Sequence, residues 1–88
     1  MNLKLVTWDG DLTQFLVEAD TKKEAIKKAI DANFKYCDPG DDEEGLIAED
    51  MKDQDTYLVE DVDFELLSEI FERTDLSGTY GEAIVFNG

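Results

Sequence analysis

The chain has 88 residues, 42% of them hydrophobic, with 23 Asp and Glu against 8 Lys and Arg, no histidine and one cysteine. That length and apolar fraction suit one domain over residues 1–88 with a single core, and they exclude a composition-driven disordered tail. A formal net charge of −15 sets the surface against DNA, RNA and anionic membranes, each of which recruits basic side chains, and points to a basic partner, a cation or a solvation role.

In chain order, Leu3–Trp8 and Leu12–Ala19 read as a β-hairpin around Asp9-Gly10-Asp11. A three-residue loop gathers Leu3, Leu5, Phe15 and Val17 on one face, the preferred register; a two-residue Asp9-Gly10 turn pairs Leu3 with Leu16 and splits that set. Trp8 then falls on the other face, near the tip. Thr21-Lys22-Lys23-Glu24 has the form of a capping box. The first helix follows to about Asn33, with Ala25, Ile26, Ala29 and Ile30 inward and the lysines outward. Phe34-Lys35-Tyr36-Cys37 leads into an acidic Pro/Gly loop over Asp38–Gly45. Leu46–Lys52 is ambiguous between helix and strand. Thr56–Val62 alternates as a strand, and Asp63 caps a second helix from Phe64 to Arg73. Its inward face is expected to be Phe64, Leu67, Ile70 and Phe71, with Leu66 at the margin and Glu65, Glu69 and Glu72 outward. Gly78 and Gly81 mark a turn before a last strand, Glu82–Phe86. The expected architecture is α+β: a mainly antiparallel sheet of four to five strands with two amphipathic helices on one face.

Charge is distributed unequally along the chain. Residues Asp38 to Asp75 hold sixteen carboxylates against Lys52 and Arg73, a net of fourteen negative charges, whereas the six acids and six lysines before Tyr36 cancel. Crowding like charges costs stability, so such a block calls for a use. A halophilic surface would be acidic throughout and poor in lysine, yet seven of the eight basic residues are lysine.

Little in the sequence points to catalysis. Without histidine there is no usual general base, no common transition-metal ligand and no Cys–His nucleophile, so Cys37 reads as a small buried hydrophobe in a reducing cytoplasm. Gly78-Thr79-Tyr80-Gly81 lacks the lysine and the strand–helix context of a phosphate loop. Asp38, Asp41, Asp42, Glu43 and Glu44 offer oxygen ligands to Ca²⁺, but their spacing fails the EF-hand pattern. Asp61, Asp63 and Glu65 alternate without converging, since Asp63 caps a helix that contains Glu65. The chain is read as a non-enzyme with no cofactor and no dedicated metal site. No apolar run approaches a membrane helix, and Met1-Asn2-Leu3-Lys4-Leu5 is too short and polar for a signal peptide.

The sharper reading is imitation of nucleic acid. Duplex DNA carries one charge per ~1.7 Å, so fourteen charges correspond to about 24 Å of duplex, close to the diameter of a domain this size. In size, charge block and α+β remainder the chain resembles the small acidic anti-CRISPR and anti-restriction DNA mimics made by phages and mobile elements. That resemblance implies an inhibitor in the host cytoplasm. Its partner would be a basic nucleic-acid-binding protein, a CRISPR effector or restriction enzyme whose DNA or RNA site it blocks without touching nucleic acid or membrane itself. The contact carboxylates expected are Asp41, Asp42, Glu43, Glu44, Glu65, Glu69 and Glu72, with Trp8, Tyr36 and Tyr57 as candidate aromatic contacts at the rim. An immunity protein or antitoxin capping a basic nuclease toxin follows the same charge logic, and a Ca²⁺-binding module is the third reading.

Overall fold

A computed structural model describes residues 2–9, 12–37 and 56–87. Five strands form one antiparallel sheet: β1 Leu3–Trp8, β2 Gln14–Glu18, β3 Tyr57–Asp61, β4 Leu76–Tyr80 and β5 Ala83–Phe86, in the order β3-β1-β2-β5-β4. Two helices lie among the described residues, α1 Lys22–Cys37 and α2 Phe64–Phe71. The α+β class and the strand number therefore stand as expected. The ambiguous Leu46–Lys52 and the Asp38–Gly45 loop lie outside the described residues, as does the Cys37 side chain.

Alternation along the strands divides the apolar residues into two layers. Val6, Phe15, Val17, Tyr57, Ala83 and Val85 pack with Ala25, Ile26, Ala29, Ile30 and Ala32 of α1. Their strand neighbours Leu5, Leu16 and Phe86 pack instead with Ile70 of α2, with Leu3, Leu66, Leu67 and Ile84 around them. The expected single covered face is thus corrected: α1 takes one set of alternating positions and α2 the other. The physical reason is visible in Leu5-Val6, Phe15-Leu16-Val17 and Ile84-Val85-Phe86, runs that place apolar side chains on both sides of a strand. Burying Ile26 and Ile30 alone is worth about 3–6 kcal/mol, so α1 is held mainly by its packing.

The hairpin register follows the same logic. Leu5 pairs with Leu16, Val6 with Phe15 and Thr7 with Gln14. The preferred grouping of Leu3, Leu5, Phe15 and Val17 is therefore also corrected, because each face carries its own apolar set. Trp8 N–H donates to Thr13 O at 2.9 Å and Leu12 N–H to Trp8 O at 2.9 Å, which closes the loop over residues 9–12. Leu12 closes it with φ +64 while 66% exposed. A left-handed backbone costs a γ-branched residue roughly 1 kcal/mol, and asparagine tolerates it better. Leu12→Asn is expected to raise stability by about 0.5–1 kcal/mol, read as a higher urea midpoint at unchanged m-value. An unchanged midpoint would show that the loop carries no such strain.

Helix α1 begins at a cap that departs slightly from the expected box. Glu24 N–H donates to Thr21 Oγ1 at 3.1 Å, but the Glu24 carboxylate accepts from Asp20 N–H at 3.3 Å rather than from Thr21. The helix continues past Asn33 to Cys37, with Phe34 and Tyr36 packed against the first layer. At the other end of the chain the expected turn at Gly78 is a strand. Residues Leu76–Tyr80 pair with β5 through a register shift between Leu76 and Gly78, and Gly78 sits at φ +134, a conformation open only to glycine. The connection to β5 is the two-residue Gly81-Glu82, with φ +58 at Gly81, as tight hairpins of this length require.

Candidate functional site

Helix α2 is short and is placed by its two ends. Asp63 accepts from Leu66 N–H at 2.8 Å as N-cap, and Glu72 N–H closes the other end onto the Glu69 and Ile70 carbonyls. Val62 N–H bonds Leu3 O at 3.0 Å, which seats the start of the helix against β1. Beyond the C-cap, Arg73 fastens the far end. Its guanidinium donates to Asp75 through Nε at 2.8 Å and again through Nη2, donates to Gln14 Oε1 through Nη1, and lies 4.6 Å over the Phe86 ring. Gln14 in turn donates to Thr7 Oγ1 at 3.0 Å. The single arginine of the chain thereby ties α2 to β2 and β5 with a planar fork that lysine cannot reproduce.

Arg73 has an electrostatic consequence for Asp75. The hydrogen bond and charge of the guanidinium hold the Asp75 carboxyl below its ordinary value, against a smaller opposing effect of desolvation. A carboxyl depressed in the folded state contributes stability above its unfolded pKa, and that contribution disappears as pH falls through the folded value. The stability difference between wild type and Asp75→Asn should thus be constant above about pH 5 and shrink below about pH 4. Thermal melts of both proteins between pH 2.5 and 7 check this; a difference independent of pH would show that the carboxylate charge contributes nothing.

The outward side of α2 carries Glu65, Glu69 and Glu72, all exposed, as the sequence suggested. Glu60, Asp61 and Asp63 are exposed just before them, so six carboxylates and no basic residue fall between positions 60 and 72. Five acids of the fold are engaged by nearby side chains, whereas Asp9, Glu18, Glu60 and Glu82 are exposed and in no ion pair among the described residues. Asp20 accepts from Asn2, Glu24 pairs with Lys28, Asp31 with Lys35, Asp61 with Lys4 and Asp75 with Arg73. Among the described residues Glu65, Glu69 and Glu72 join no ion pair. Their spacings of four and three place them side by side on the helix, where like charges repel by a few tenths of a kcal/mol per pair.

The remaining expected contacts divide. Asp41, Asp42, Glu43 and Glu44 lie outside the described residues, as does the calcium ligand set that shares them with Asp38. Among the described residues no cluster of three or more carboxylates or thiols is arranged around a metal position, and no helix is long and apolar enough to cross a membrane. The three candidate rim aromatics are committed within the fold. Trp8 stacks on the buried Tyr57 with ring centroids 6.4 Å apart, while Tyr36 meets Tyr80 edge-on at 5.1 Å and accepts from the Asn87 amide at 3.0 Å.

Two aromatic residues that sequence reasoning placed inside are on the surface. Phe64 is 83% and Phe71 73% exposed, and the residues that α2 turns toward the sheet are Leu66, Leu67 and Ile70. The expected inward face is corrected accordingly. A helical projection does hold the signal: Phe64, Leu66, Leu67, Ile70 and Phe71 span about 160° of arc, more than one eight-residue helix lying on a sheet buries. No significant match to this chain is found among protein-family models, curated proteins or solved structures.

Proposed function

We propose that the protein is an acidic inhibitor that binds a basic nucleic-acid-binding protein and blocks its DNA or RNA site by charge mimicry, with a CRISPR effector or restriction enzyme as the partner class. The observation that carries this reading is the row formed by Glu65, Glu69 and Glu72, exposed on one side of α2 and outside every ion pair among the described residues, within a run of six exposed carboxylates that holds no basic residue. A helix that sets three carboxylates along about 10 Å of one stripe presents a phosphate-like row on a rigid support. Binding such a row releases the counterions of a basic groove and steers association through its field. The carboxylates of residues 41–44 extend the same charge in sequence. The proposal assigns the chain no catalytic step, no cofactor and no direct contact with nucleic acid, and it places the encounter in the host cytoplasm.

Affinity capture from a nuclease-treated bacterial lysate tests it, with wild type and the Glu65→Lys/Glu69→Lys/Glu72→Lys variant run side by side. A CRISPR effector or restriction enzyme retained by wild type and lost by the variant supports the reading, provided the purified partner then loses nucleic-acid binding when wild type is added. Retention of the same basic proteins by both would reduce α2 to a solvated face. Capture of a nuclease toxin encoded beside this chain would move the assignment to an immunity protein.

A further inference from the structure

We propose that the exposed Phe64–Phe71 stripe of α2 anchors a docking surface for a cationic protein element with an apolar face, the phenylalanines entering its apolar face while Glu65, Glu69 and Glu72 meet its basic rim. This inference rests on the charge-mimic reading and adds the origin of its selectivity. Residues seven apart in a helix lie on one stripe, about 10.5 Å from each other along the axis. Both phenylalanines keep most of their surface in water, although α2 already has an inward face in Leu66, Leu67 and Ile70. Exposed apolar surface rimmed by polar groups marks interaction sites, and phenylalanine is among the residues enriched at interfaces.

Charge decides the occupant. A second copy would place the same carboxylates opposite one another across a two-fold contact, in a chain of net charge −15. Nucleic acid and anionic lipid are repelled by the same rim. A protein element rich in Lys and Arg and apolar between them is complementary on both counts. Carboxylates alone discriminate poorly among basic proteins, because exposed ion pairs are individually weak. The two rings supply what the charge lacks, and they do so where Trp8, Tyr36 and Tyr57 are already taken up by the fold.

Calorimetric titration of the full chain with two synthetic helical peptides tests this. The peptides have equal length and equal positive charge, one built of lysine and leucine with an apolar stripe, the other with alanine in place of leucine. Wild type is expected to bind the lysine–leucine peptide at least tenfold more tightly than the lysine–alanine peptide. Phe64→Gln/Phe71→Gln is expected to remove that preference, to retain the affinity for the lysine–alanine peptide and to melt at the wild-type temperature. Equal binding of both peptides by wild type, or a preference that survives the double substitution, would overturn the docking surface and leave the charge-mimic reading standing. Binding of neither peptide would overturn both. Sedimentation showing a concentration-dependent dimer abolished by Phe64→Gln/Phe71→Gln would assign the stripe to a second copy and overturn the proposed occupant.

Discussion

Replacing Glu65, Glu69 and Glu72 together by lysine is expected to change stability by no more than about 1 kcal/mol and to weaken partner binding at least 100-fold at low salt. The fold should tolerate the change because all three side chains are exposed and none is in an ion pair among the described residues. At the helix ends the effects oppose each other. Lysine at position 65 loses a favourable interaction with the N-terminal dipole, and lysine at the C-cap, position 72, gains one. Reversing three charges moves the net charge from −15 to −9 and turns three attractions toward a basic groove into three repulsions. At roughly 1 kcal/mol per exposed charge contact in water, counted once for the attraction lost and once for the repulsion gained, the sum exceeds 3 kcal/mol, or more than two decades of affinity. Unfolding midpoints check the first half. Binding measured at low and high salt checks the second: wild-type affinity should fall with added salt, and the gap between the two proteins should narrow as screening grows. A variant that binds as well as wild type at every salt concentration would remove α2 from the contact surface.

Phe15→Ala is expected to cost about 3–5 kcal/mol. Phe15 is fully buried on β2, paired with Val6 on β1 and Val85 on β5, and belongs to the layer that α1 covers. Removing its ring leaves a cavity where the central strand meets the helix, and the flanking strands cannot collapse into it without breaking register. A domain of this length has a total stability of about 4–13 kcal/mol, so the loss is a large share of it and should lower the melting temperature by roughly 15–30 °C. Phe71→Ala is the matched control. Its ring is 73% exposed, and the expected change is within about 0.5 kcal/mol. Comparable losses at both positions would mean that Phe71 is buried in solution and would remove the basis of the docking surface.

Much of this fold is written locally. Thr21 caps α1 and Asp63 caps α2 within three residues of their partners, and the Ala25-Ile26 and Ala29-Ile30 pairs mark the buried side of α1 by spacing alone. The exposure of Glu65, Glu69 and Glu72 follows from the same periodicity, and the charge block needs no structure to be seen. These features depend on neighbours within about one helical turn, which is the range over which residue order and backbone geometry determine each other.

What only the tertiary structure decided concerns partners distant in sequence. The runs Leu5-Val6 and Phe15-Leu16-Val17 are compatible with one covered face or two, and the difference lies in where the β3–α2 connection sends the second helix. Strand β4 forms around Gly78 because β5 supplies the hydrogen bonds, although its residues alone read as a turn. Arg73 reaches Gln14 across 59 positions, a contact no local pattern announces. Phe64 and Phe71 satisfy the periodicity of a buried helix face as well as Leu67 and Ile70 do. A round helix on a flat sheet brings only part of an apolar arc of about 160° into contact, and the seat that the assembled strands give α2 puts Leu66, Leu67 and Ile70 in that part while the two rings face water.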